Sequence, residues 1–157
     1  MPGLVYAQDN VLKYNFYGPG QGLSANLVTS IEKDTTGFLW VATKNGLNRF
    51  DGYNFQKFIP ESTARQFISN RYIDDLTPLR NHHFLITYHD NIDFFDILDP
   101  YSFDLQKVNL YPANGVQGSV EKIVVGPDGL PYVLTTQLDR GRIYQYQFSD
   151  TLIQVGE

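Results

Sequence analysis

The residue types able to carry chemistry are few in this chain. Its three histidines are His82, His83 and His89. A zinc site needs two or three such ligands converging on one side of an element, and this spacing matches no ligand motif. It reads as strand and turn histidines facing solvent. Asp90, Asp93, Asp96 and Asp99 recur every three residues, a pattern that would serve a cation or a carboxylate pair in hydrolysis. On strands such residues alternate sides, and no calcium-loop glycine lies among them. Turn aspartates making local hydrogen bonds are the simpler reading. Asp74 and Asp75, as strand neighbours, point to opposite faces. Without any cysteine or a Gly-x-Ser-x-Gly elbow, the serines have no nucleophile geometry to join. Gly18-Pro19-Gly20-Gln21-Gly22 is glycine-rich, but Pro19 removes an N–H donor and no Lys-Ser or Lys-Thr follows. The residues assign no catalytic set, no metal site and no cofactor, and the chain reads as non-enzymatic.

Composition narrows the class. The 157 residues suit one domain, and 42% hydrophobic with 18% charged residues, including 11 Tyr and 11 Phe, is the make-up of a chain that folds. Twelve Lys and Arg against 17 Asp and Glu give a net charge of −5, so there is no basic field for a phosphate backbone, and nucleic acid is excluded as a partner class. No apolar run is long enough for a membrane span. Pro2 through Ala7 followed by Gln8 has the small and aliphatic residues of a signal-peptide cleavage site, which sets residues 1–10 apart as a leader or signal-peptide remnant.

The elements that must position any site come from a repeat. From Asn26 to Phe58, four strand patterns alternate with turns: Leu27 to Ile31, Phe38 to Thr43, Leu47 to Phe50, and Tyr53 to Phe58. Between them lie Asp34-x-x-Gly37, Asn45-Gly46 and Asp51-Gly52, turn sequences suited to antiparallel reversals. A second copy places Leu76, Ile86, Ile92, Phe95, Asp96 and Phe103 at the positions of Ile31, Val41, Leu47, Phe50, Asp51 and Phe58, each 45 residues on. In a third copy Ile123, Gly129, Tyr132, Val133 and Thr135 match Ile31, Gly37, Trp40, Val41 and Thr43. A four-residue insertion around Asp139-Arg140-Gly141 then brings Ile143 and Tyr146 onto Leu47 and Phe50. Four strands per unit of this length predict an all-β fold, a partial β-propeller of about three four-stranded antiparallel blades. The blade-like repeats fall at about 22–58, 67–106 and 118–150, within a propeller region of 11–157. Trp40, and Tyr132 in its place, are expected to fill the space between neighbouring sheets. Asp34, Gly37, Gly46, Asp51 and Gly52 are expected to shape turns.

Gly22-Leu23-Ser24-Ala25-Asn26-Leu27-Val28, Asp34-x-x-Gly37-Phe38-Leu39-Trp40-Val41-Ala42-Thr43 and Gly46-Leu47-Asn48-Arg49-Phe50-Asp51-Gly52 closely resemble the two-component regulator propeller repeat. The resemblance implies the N-terminal part of the periplasmic sensor region of a bacterial hybrid two-component receptor, many of which respond to glycan-derived oligosaccharides. The histidine kinase, membrane span and remaining blades would lie elsewhere in such a receptor. It also implies that residues 11–17 are an outer strand completing a blade from the other end of a ring. In a polar, aromatic-lined axial pocket, Tyr88, His89, Asn91 and Arg140, all in expected turns, are candidate oligosaccharide contacts. A three-blade arc exposes apolar faces at both ends, which implies self-association. A dimerisation scaffold without a ligand, and a glycan-cleaving enzyme, are the alternatives.

Overall fold

The computed structural model describes residues 14–60, 68–111, 115–148 and 152–156, the side chains of Asn91 and Ile92 excepted. The leader at 1–10 and the first part of the 11–17 segment lie outside the described residues, and residues 14–17 form no strand.

Three separate four-stranded antiparallel sheets follow one another along the chain as a partial β-propeller. The first blade comprises β1 (Val28–Lys33), β2 (Leu39–Thr43), β3 (Gly46–Phe50) and β4 (Phe55–Phe58). The second comprises β5 (Ile73–Pro78), β6 (Phe84–Tyr88), β7 (Asn91–Leu98) and β8 (Leu105–Asn109), and the third β9 (Ser119–Val125), β10 (Pro131–Gln137), β11 (Arg140–Tyr146) and β12 (Leu152–Gly156). In each sheet neighbouring strands are consecutive in the chain, as short turns dictate. Among the described residues no helix is long and apolar enough to cross a membrane.

Turn chemistry fixes the first blade. The Asp34 carboxylate accepts the Thr36 and Phe38 N–H groups at 2.9 and 3.1 Å and the Trp40 indole N–H at 2.9 Å. Burial pushes this carboxyl up, but the donors from Thr36, Trp40 and Phe38 outweigh it and hold it below the ordinary value. Gly46 opens β3 at φ +120°, where a Cβ would lie 2.8 Å from the Phe58 carbonyl oxygen, so both backbone shape and space require glycine.

Each blade has a back face turned toward the preceding blade and a forward face turned toward the next, because strand residues alternate sides. Trp40, Ala42 and Leu47 on the forward face of the first blade pack with Ile73, Leu76, Phe84 and Ile86 on the back of the second. Leu85, Phe95, Ile97 and Val108 on the forward face of the second pack with Val120, Val133, Tyr144 and Tyr146 on the back of the third. Trp40 fills the space between two sheets as expected, fully buried and 5.4 Å from the Phe58 ring. Tyr132 instead stands partly exposed on the forward face of the third blade, its hydroxyl donating to Asp128 at 2.9 Å.

The second copy corrects the 45-residue spacing beyond β6. Ile86 pairs with Asp96, and Tyr88 with Asn91, so three extra residues bulge within β7. Asp96 is therefore the counterpart of Asn48, which pairs with Val41, and is not at the turn position of Asp51. Asp99 takes the turn role: it accepts the Tyr101 N–H at 2.8 Å, as Asp51 accepts that of Tyr53 at 2.7 Å. Phe95 stands at the place of Leu47, and Leu98 at that of Phe50. Phe103 is not a strand residue matching Phe58; it lies in the turn before β8 at φ +61° and packs 6.2 Å from Trp40. In the third copy the insertion lengthens the β10–β11 hairpin by the rungs Thr136↔Gly141 and Gln137↔Arg140, closed through Leu138 and Asp139, both at positive φ.

Candidate functional site

The innermost strands of the blades, β1, β5 and β9, carry the charged residues nearest the propeller axis. Between the second and third blades, β5 and β9 stand apart around a cleft of 430 Å³. Asp74, Asp75 and Glu121 supply carboxylates to its wall, Lys122 an ammonium, and Thr77 and Thr87 hydroxyls. The apolar part of the wall is Leu85, Ile123, Val124 and Val125, and Tyr88 is its aromatic member among the described residues. Asp75 accepts the Thr77 hydroxyl at 3.0 Å, and Glu121 accepts that of Thr136. Each carboxylate is thereby oriented and keeps lone pairs for a further donor. On the neighbouring strand, burial and then the Asp75 carboxylate push Glu32 above its ordinary value. Three carboxylates against one ammonium leave the wall net negative.

The structure distributes the four candidate contacts unevenly. Tyr88 lines the cleft, but its hydroxyl is committed to the Asp96 carboxylate. His89 is not among the wall residues; it stacks 4.3 Å from the Tyr72 ring, with Nδ1 3.5 Å from Asp74, which is. Arg140 pairs with Gln137 at the exposed tip of the β10–β11 hairpin and is not part of the cleft wall. Asn91 begins β7, and its side chain lies outside the described residues. His82 and His83 precede β6 and His89 follows it, so the strand holds them at opposite ends.

A second constellation recurs in every blade and was not read from the sequence. Ahead of the first strand, a buried apolar residue (Leu23, Ile68 or Val116) is followed by a residue whose backbone N–H is caught by a side chain of the third strand. In the first blade Ser24 N donates to Asn48 Oδ1 at 2.9 Å, while Asn48 Nδ2 donates to Ser24 Oγ at 2.8 Å. In the second, Ser69 N and Oγ donate to the two Asp96 oxygens at 2.8 and 2.7 Å. In the third, Gln117 N donates to Tyr144 Oη at 3.1 Å. The catching residues Asn48, Asp96 and Tyr144 are evenly spaced, 48 residues apart. Burial pushes the Asp96 carboxyl up, against the Tyr88 and Ser69 hydrogen bonds that favour its ionised form. Burial, then the Asp96 charge, likewise raises the Tyr88 phenol, which stays the donor in this pair. The signal available in the sequence was the step from Leu23-Ser24 to Ile68-Ser69, 45 residues on.

No family model matches the chain. A stretch of 50 residues, 32% of this chain, is 44% identical to Histidine kinase P4 of Formosa agariphila, of which it spans 4%. Among solved structures, a B. thetaiotaomicron protein described as the extracellular domain of the hybrid two component system BT3049 overlays on 90% of this chain and 26% of its own, with 19% identity and a TM-score of 0.42. The extracellular domain of the hybrid two component system BT4673 from the same organism overlays on 97% of this chain and 27% of its own, with 15% identity and a TM-score of 0.43. Over that 50-residue stretch the chain is similar to a histidine kinase, and it spans only a small part of this curated relative.

Proposed function

We propose that this chain is a ligand-sensing part of the periplasmic region of a two-component receptor, and that its ligand is a neutral, glycan-derived oligosaccharide held in the axial cleft. The cleft between β5 and β9 carries the reading. Acceptors on Asp74 and on the oriented Asp75 and Glu121, donors on Lys122 and Thr87, and an aliphatic wall match the alternating hydroxyl and C–H surface of a sugar. The ligand bridges two blades, so its binding changes contacts between them, and the signal travels through those contacts and through receptor dimerisation rather than through bond making. The similarity to a histidine kinase supports a receptor context.

The test is a thermal-shift series on the 157-residue chain with neutral and acidic oligosaccharides, analysed for both melting and product formation. A neutral oligosaccharide is expected to raise the melting temperature in a saturable way, to remain uncleaved, and to lose its effect when Asp75 and Glu121 are both replaced by Ala. Stabilisation by acidic sugars alone would contradict the charge argument. The apolar end faces favour a second reading, a dimerisation scaffold with no ligand of its own, which predicts no melting shift with any sugar.

A further inference from the structure

At the end of the blade where its first strand turns into its second and its third into its fourth, the first two blades carry hollows that correspond residue for residue. The first is lined by Phe38, Arg49, Asp51, Asn54, Phe55 and Gln56. The counterparts His83, Ile97, Asp99, Asp104, Leu105 and Gln106 line a hollow of 300 Å³ in the second blade, which Phe148 of the third blade helps to enclose. We infer that this second hollow binds a guanidinium group from outside the chain, where the first blade builds in the guanidinium of Arg49. The inference does not depend on the proposed oligosaccharide, since the axial cleft shares none of these residues.

The strand ladders fix the correspondence. Arg49 stands between Trp40 and Gln56, as Ile97 stands between Leu85 and Gln106. Leu39, Phe50 and Phe55 form one rung, and Phe84, Leu98 and Leu105 its equivalent, which sets His83 at the place of Phe38 and Asp104 at that of Asn54. What differs is charge. The first hollow balances the Arg49 cation against the Asp51 carboxylate. In the second, Ile97 takes the place of the cation and Asp104 adds a carboxylate to Asp99, with no Lys or Arg among the lining residues. The second hollow thus lacks the charge that its counterpart supplies from within, and carries more of the charge that attracts it.

Arg49 shows how such a place holds a guanidinium, by ring faces. Its Cζ lies 3.4 Å from the centre of the Phe38 ring and 5.3 Å from that of Phe103 in the following blade, while Nε is buried with no hydrogen-bond partner among the described residues. In the second hollow His83 presents a ring at the place of Phe38. Phe148 presents the other: like Phe103 it lies between the third and fourth strands of the following blade at left-handed φ, +57° against +61°. The two rings form a corner, 6.3 Å apart and inclined at 57°. His83 Nδ1 donates to the Asn81 carbonyl at 3.1 Å, which leaves Nε2 an acceptor in the neutral ring. Asp99 is fixed by the Tyr101 N–H at 2.8 Å and the Ser102 hydroxyl at 3.0 Å. Ring faces beside carboxylates suit a guanidinium better than an ammonium, because the planar, weakly hydrated cation stacks while its edge donates.

The decisive experiment is an NMR titration of the 157-residue chain at constant ionic strength with N-acetyl-arginine amide, and with the neutral isostere N-acetyl-citrulline amide. Saturable shifts at His83, Asp104, Gln106 and Phe148 are expected with the arginine compound and absent with citrulline. A pentapeptide with one central arginine reads the source of the group: a protein side chain if it binds as well, a free guanidino compound if it does not. Asp104→Asn, which installs the first blade's neutral residue at an exposed position, is expected to weaken binding about two- to fivefold. Ile97→Arg, which restores the built-in cation, is expected to abolish it. Because Ile97 is buried, circular dichroism checks that this variant folds, and Asp104→Asn decides if it does not. Equal shifts with citrulline would overturn the inference. So would arginine shifts confined to Asp74, Asp75 and Glu121, undiminished affinity in Asp104→Asn, or binding that survives in a folded Ile97→Arg.

Discussion

The seam between the first and second blades is sealed from rim to axis, whereas the seam between the second and third opens at the axis. In the first, the Trp40 ring lies 5.4 to 6.2 Å from Phe58, Phe84 and Phe103, and the Arg49 guanidinium stacks 3.4 Å from the Phe38 ring. Its inner end is tied by Ser30 Oγ donating to the Leu76 carbonyl at 3.2 Å. In the second, an edge-on Phe95 and Tyr146 pair at 5.7 Å anchors a mostly aliphatic core, and Arg80 N donates to Gly129 O at 3.1 Å. At the inner end, however, Asp75 stands where the first blade has Ser30. A serine hydroxyl can donate to the carbonyl of the facing strand; a carboxylate can only accept, and must keep its water. The two copies thus differ at this inner position: a hydroxyl ties the first seam, and a carboxylate lines the cleft at the second.

Removing the Trp40 ring tests the sealed seam most severely. Trp40→Ala should lower the unfolding free energy by about 3–5 kcal/mol in urea titration, since it empties a fully enclosed volume and strips Asp34 of a donor. A loss below about 1 kcal/mol would show that the aromatic cluster is not what holds these blades. Next in size is the catch on the second blade: Asp96→Ala leaves the Ser69 N–H and the Tyr88 hydroxyl without their acceptor, for an expected loss of about 2–3 kcal/mol. The exchange of inner residues is more direct. Ser30→Asp should open the first seam and cost about 1–2 kcal/mol. Asp75→Ser should close the second, gaining roughly 0.5–1 kcal/mol while abolishing oligosaccharide binding, a trade of stability against function. If both changes leave melting unaltered, the difference between the seams has another origin.

The smallest effect is one of pH. Because burial raises the Asp96 carboxyl, the folded state keeps a proton that the unfolded chain releases. Its contribution therefore declines as pH rises from the ordinary carboxyl range through the higher folded value. Asp34 acts oppositely: its lowered carboxyl contributes above the ordinary value and is lost as pH falls through the folded one. Asp96→Asn, which installs the first blade's residue in the second, should flatten the decline on the upper side and leave the acid limb in place. Urea midpoints measured from about pH 3 to pH 7 read both slopes, a span set by the ordinary carboxyl range.

The four strands of the first blade were legible because Asn45-Gly46 and Asp51-Gly52 force reversals between them, although β1 runs on to Lys33 and β4 begins at Phe55 rather than Tyr53. The second misled at β7, since its bulge preserves an apolar and acidic pattern while shifting everything after Tyr88 by three places. Asp96 looked like a turn residue because Asp commonly is one; only the ladder shows it fully buried at mid-strand. The catches escaped notice because each joins residues 24 to 27 positions apart, one of them outside any strand. The cleft was beyond sequence reasoning for a different reason. It forms where β5 and β6 of one blade face β9 of the next, and of the candidate contacts, chosen from hairpin turns, Tyr88 lines it.

The catches also define what is inherited when such an array grows or shrinks. A segment cut at the start of β1 would carry Asn48 away from Ser24, and each transplanted blade would arrive with its own side chain reaching for a missing partner. The exchangeable cassette therefore begins at Leu23, Ile68 or Val116 rather than at the first strand. Recombination at those points moves lock and key together, so blades can be shuffled between arrays without re-evolving the joint.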